Sequence, residues 1–118
     1  MAKNRVLGQS NKRISNVGVT ASSVSGAPMV VGQLPCVLLT NADSGNKAIV
    51  QLDGVWTMLV NGVDQSGNSA VAVGDILYYT AGDTIKLSKK NTGIRWGYAL
   101  GTVPSGNSTT SIPAQVGY

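Results

Sequence analysis

The chain has 118 residues, enough for one domain and too few for a second useful core. Glu, His and Phe are absent and Gly is abundant, so good surface-helix formers are scarce and the β-branched residues broken by turn formers argue for an all-β fold. The net charge of +4 excludes a polybasic chain and predicts attraction to an anionic surface, either nucleic acid or acidic protein.

Residues 1–16 are polar and basic, with Lys3, Arg5, Lys12 and Arg13 and no hydrophobic period. They are expected to form an extended N-terminal arm, with residues 17–118 as the folded domain. The first expected strand is 17–20; Ser25-Gly26-Ala27-Pro28 then turns into a second at 29–31, closed by Gly32. Residues 36–40 form a third, ended by the loop 41–46. The runs 48–52 and 55–60 flank Asp53-Gly54, a strong short-range signal for a β-hairpin. Residues 61–68 read as a polar loop, 75–80 as a strand after Gly74, and 84–88 as a short edge strand. The longest run is 94–103, where Gly97 and Gly101 mark bulges or close backbone approaches, and 112–116 is the last. Short strands at near-regular spacing predict a small single-domain β-barrel or β-sandwich.

Chemistry is sparse in this inventory. Without His and with Cys36 as the single cysteine, a zinc site is all but excluded. Four of the five acids, Asp43, Asp53, Asp64, Asp75 and Asp83, adjoin Gly or lie in Gly/Ser/Asn-rich loops, which is the pattern of turn formers. No phosphate-binding glycine loop and no G-x-S-x-G nucleophile turn occurs. The expectation is no catalytic, cofactor or metal residue. Cys36, between Pro35 and Val37, reads as a buried, inert thiol. No signal-peptide core or membrane-length apolar run is present, so synthesis in the cytosol is expected.

One binding reading competes. Lys86, Lys89, Lys90 and Arg95 near Trp96 and Tyr98 could give a single-stranded nucleic-acid-binding barrel, with phosphate contacts beside a stacking platform. Against it, Trp96, Tyr98 and Leu100 share one strand parity and are expected inside, with Arg95 pointing out. Trp56 alternates with Met58 and Val60, which suits a core stripe or an oligomer interface.

Four segments taken together point to a family. They are the stretch from Ser25-Gly26-Ala27-Pro28-Met29-Val30-Val31-Gly32 to Pro35, the step Asp53-Gly54-Val55-Trp56, the run from Gly67-Asn68 to Tyr78-Tyr79, and the run from Leu87-Ser88 through Ile94-Arg95-Trp96-Gly97-Tyr98 to Gly101. In this order they resemble the DUF2190 family, the capsid decoration or cement proteins of tailed bacteriophages. The resemblance implies a non-enzymatic structural protein with a β-barrel-like (β-tulip-like) domain. It also implies homotrimers at or near three-fold positions on the outer capsid surface of the virion, bound to the major capsid protein and stabilising the shell against internal DNA pressure. An extended N-terminal segment would anchor the trimer, which makes Lys3, Arg5, Val6 and Leu7 the expected capsid-contacting residues; Trp56 and Met58, from their alternation alone, are candidates for an oligomer interface or a core stripe. The basic character of the arm and the Ser/Thr-rich stretch after Pro104 depart from the usual family pattern.

Overall fold

The β-branched and small residues of this chain form ten strands in a computed structural model that describes residues 13–19, 24–107 and 110–117. No helix occurs among the described residues. Four strands make one open sheet in the order β1-β4-β3-β2, where β1 is Arg13–Gly18, β2 Pro28–Val31, β3 Leu34–Leu38 and β4 Lys47–Gln51. All its pairings are antiparallel. The β2–β3 connection is a two-residue turn at Gly32-Gln33, with Gly32 at φ 62° where a side chain would be strained. β1 begins at Arg13, so the end of the basic segment is already paired backbone, with Arg13 opposite Gln51.

The second sheet closes on itself. It holds β5 (Val55–Asp64), β6 (Gly67–Asn68), β7 (Ile76–Tyr79), β8 (Leu87–Lys89), β9 (Ile94–Ala99) and β10 (Thr110–Val116). The order β10-β9-β7-β8-β5 returns to its start because β10 also pairs with β5, giving a five-stranded barrel. One pairing, β5 with β8, is parallel. Closure leaves these five strands with partners on both sides, whereas β1 and β2 each have one strand neighbour among the described residues.

Several expectations change here. Asp53-Gly54 does turn the chain, with Gly54 at φ 103°, but β4 and β5 do not pair. Both flanks of β4 are taken by β1 and β3, and β5 is taken by β10 and β8, so the turn carries the chain from one sheet to the other. The corner is held by side chains: Gln51 Nε2 donates to Asp53 Oδ1 at 3.2 Å and Trp56 Nε1 to the Asp53 carbonyl at 3.1 Å. The expected loop 61–68 instead continues β5 to Asp64 and returns through a hairpin into β6, with Asp64 opposite Gly67. β8, expected at an edge, lies inside the barrel wall with Leu87 and Ser88 fully buried.

The core is in two parts. The barrel interior is filled by residues such as Met58, Val60, Leu77, Leu87, Trp96, Ile112 and Val116. A smaller cluster of Cys36, Leu38, Ala48 and Val50 lies on the other side of the open sheet. β3 is buried on both faces, Val37 towards the barrel and Cys36 and Leu38 away from it, which is why its sequence is continuously apolar. Trp96 ties the layers together: its ring is in the barrel core and its Nε1 donates to the Cys36 carbonyl at 3.1 Å.

Candidate functional site

Opposite the pair Leu77–Tyr78, β9 inserts an extra residue: Leu77 faces Gly97 while Tyr78 faces Arg95. This bulge at Trp96 shifts the parity of the rest of the strand. Trp96 and Ala99 are buried, Tyr98 is half-buried, and Leu100 is exposed, so the expected common inward face of Trp96, Tyr98 and Leu100 does not form. Arg95 and Tyr98 come together instead, the guanidinium donating to the phenol oxygen and lying 5.4 Å from the ring centroid.

The lysines beside this strand are engaged locally. Lys90 Nζ pairs with Asp83 at 2.6 Å, Lys89 Nζ lies 3.5 Å from Asp75 and donates to the Ala70 carbonyl, and Lys86 Nζ donates to the Ala81 carbonyl. A nucleic-acid site needs free cations beside an exposed aromatic face. Here Trp96, fully buried, cannot stack on a base, and the cations are turned to the protein's own oxygens.

The charge of the whole chain has a simple partition. Beyond Arg13 the five cations Lys47, Lys86, Lys89, Lys90 and Arg95 are matched by the five aspartates, so the net +4 is carried by Lys3, Arg5, Lys12 and Arg13. Of these only Arg13, exposed at the start of β1, is among the described residues; Lys3, Arg5, Val6 and Leu7 lie outside them. Arg13 pairs with Gln51, and the residues that follow Gln51, Leu52 and Asp53, line a groove of about 520 Å³ together with Gln33, Leu34, Gln115 and Val116.

Of the expected contact pair on β5, Met58 is only 4% exposed and belongs to the barrel core, while Trp56 is half-buried against that core. The residues between them face outward. Val55 is 58% and Leu59 47% exposed, with Thr57 exposed between them. Across the seam, β10 sets Gln115 opposite Val55, Pro113 opposite Thr57 and Ser111 opposite Leu59, all exposed. A legible signal for this face exists in the sequence: β5 is apolar on both parities, Val55 and Leu59 as well as Trp56, Met58 and Val60.

Cys36 is inert by position. Burial pushes its thiol up to about 11, and its Sγ donates to the Met29 carbonyl at 3.6 Å. Burial, and secondarily Cys36, also raises the Tyr79 phenol. Among the described residues no group of His, Cys, Asp or Glu is arranged to hold a metal ion.

A small closed barrel stapled to an open sheet, with an uncharged strip along β5 and β10 and its excess charge in the first thirteen residues, has the attributes of a structural binding module. The chain belongs to the phage cement protein family, whose model matches residues 8–113. Its role is therefore that of a capsid-associated structural protein, in a family of structural phage proteins and not of known enzymes. No curated protein and no solved structure matches the chain.

Proposed function

We propose that the protein binds the outer surface of a tailed-phage capsid as a homotrimer at three-fold or quasi-three-fold positions, clamping neighbouring major capsid protein subunits against internal DNA pressure. The observation that carries this reading is the charge partition: a neutral folded body with its entire excess charge in the first thirteen residues. Such a chain is drawn to an acidic surface by one end, with the body left free to make symmetric contacts. Lys3 and Arg5 supply the attraction and Val6 and Leu7 the apolar contact. Three such segments on one trimer multiply a modest affinity, and a three-fold oligomer on a three-fold site satisfies both symmetries.

Co-sedimentation of the purified protein with undecorated capsids tests it. Saturable binding at a fixed ratio to the major capsid protein, weakening as salt rises, is expected. Deleting residues 1–12 stops short of β1 and should leave the fold intact while lowering capsid affinity. Absence of binding by the full chain at low salt overturns the decoration reading; unchanged binding by the deletion variant overturns the role of the arm.

A further inference from the structure

The sequence holds a single Asn-Gly step, Asn61-Gly62, and it lies within β5 in the barrel wall. Such a step is chemically fragile, because glycine puts no side chain in the way of its own amide nitrogen. Once a base takes the Gly62 amide proton, that nitrogen can bond to the Asn61 Cγ and expel ammonia. Water then opens the five-membered imide at either carbonyl, leaving aspartate or isoaspartate. Glycine cannot be dispensed with here: a Cβ at position 62 would run into the Pro104 carbonyl oxygen. The step is flanked by registered pairs, Val60 opposite Thr110 on one side and Val63 opposite Asn68 on the other. The fold also holds the nucleophile. Gly62 N donates to the Asn107 carbonyl at 2.9 Å, and the Gly62 carbonyl accepts from Ser69 N at 2.9 Å and from Gly106 N at 2.7 Å.

We infer that Asn61 is a fold-gated modification site, a deamidation site shut in the closed barrel and opened only when β5 parts from the turn 104–107. Ring closure needs the Gly62 nitrogen to lose its proton and swing towards Cγ. In the barrel that proton is in a hydrogen bond, and the bonds to the Gly62 carbonyl hold the next peptide unit in place. Modification therefore proceeds through opened molecules, at a rate set by their population. The product is not neutral to the fold. Isoaspartate carries the main chain through Cβ and Cγ, lengthening it between the paired positions Val60 and Val63. The two flanks can no longer both keep their register, so a molecule modified while open does not close again. A transient opening becomes a permanent one. The site stands on the barrel alone and does not depend on the decoration reading.

Peptide mapping by mass spectrometry tests the inference, on the full chain held in mildly alkaline buffer with and without guanidinium chloride. In denaturant Asn61 should convert faster than every other asparagine. In the folded chain its conversion should be at least about tenfold slower. Asn61→Gln, which cannot close a five-membered ring, should show no conversion at this position in either condition. Gly106→Ala puts a side chain at φ 76° and against Asn68, straining the turn that holds Gly62. It should raise conversion in native buffer several-fold while circular dichroism still reports a folded sheet. After removal of denaturant, isoaspartate at position 61 should be confined to molecules that fail to refold. Equal conversion with and without denaturant overturns the gate, and the wild-type comparison decides this even if Gly106→Ala does not fold. A folded Gly106→Ala that converts at the wild-type rate overturns the role of the turn. Isoaspartate in refolded molecules overturns the permanent mark.

Discussion

The barrel and the open sheet are made of the same residue types but protect their strands in opposite ways. In the barrel, closure through β10 gives each wall strand two hydrogen-bonded neighbours, and one large core fills the interior. The open sheet has two edges without a strand neighbour among the described residues and is held by a smaller cluster, by the two-sided burial of β3, and by the Trp96–Cys36 bond to the barrel. The larger enclosed core makes the barrel the part expected to open last, and the open sheet the part expected to open first.

Glycine substitutions should break the comparison most sharply. A Cβ at Gly97 would meet the Gln115 carbonyl oxygen at 1.9 Å, backbone against backbone on the β9–β10 seam. Gly97→Ala should therefore cost about 4 kcal/mol or more, read as loss of folded protein in denaturant titrations. In the open sheet, Gly18→Ala meets only the Lys47 ammonium at 3.7 Å and should change stability by less than about 0.5 kcal/mol.

Core truncation sharpens the same contrast. Leu77→Ala, in the fully enclosed barrel, should cost about 4 kcal/mol. Leu38→Ala, in the smaller cluster whose few buried residues can settle into the space, should cost about 2 kcal/mol. A larger loss for Leu38 would place the weak point of the fold in the barrel instead.

The join between the two parts comes next. Trp96→Phe keeps an aromatic ring but leaves the Cys36 carbonyl without its indole donor, for a cost of about 2 kcal/mol. Hydrogen exchange in β2 and β3 should accelerate more than in β5 and β10.

The open sheet also carries a pH dependence. Burial raises the folded-state Cys36 thiol from 9.0 to about 11, so the unfolded chain loses this proton first as pH rises. The stability tied to the buried thiol is full below about pH 9 and lost progressively as pH rises towards 11. Cys36→Ala should therefore show a smaller loss of stability than the wild type between about pH 9 and pH 11, with equal slopes contradicting the buried thiol.

Local features of this fold were readable from local sequence. The runs around Ala48-Ile49-Val50 and Ile76-Leu77-Tyr78 are strands because their residues favour a pleated, buried surface wherever it lies. The turn at Asp53-Gly54 was equally plain, but a turn signal states that the chain reverses and not which strand waits beyond it. That choice depended on β1, β3 and β10 occupying the flanks, partners far away in sequence. The same non-locality hid the interior place of β8, whose parallel pairing with β5 has no short-range signature. In β9 the glycines did announce an irregularity, but the bulge fell at Trp96 and moved Leu100 to the surface. For the candidate site, the charge cluster and the apolar parity of β5 were present in the sequence. Which parity faced outward was settled only by the core.

The seam strand has a consequence for how the protein can fail. Any folding intermediate that lacks β10 exposes the flanks of β5 and β9 together, with the apolar Val55 and Leu59 alongside. That is a template for pairing with another unfinished chain. Barrel closure is thus the step that commits the chain to its folded form over aggregation, and a chain interrupted before Thr110 is left on the aggregating side of it.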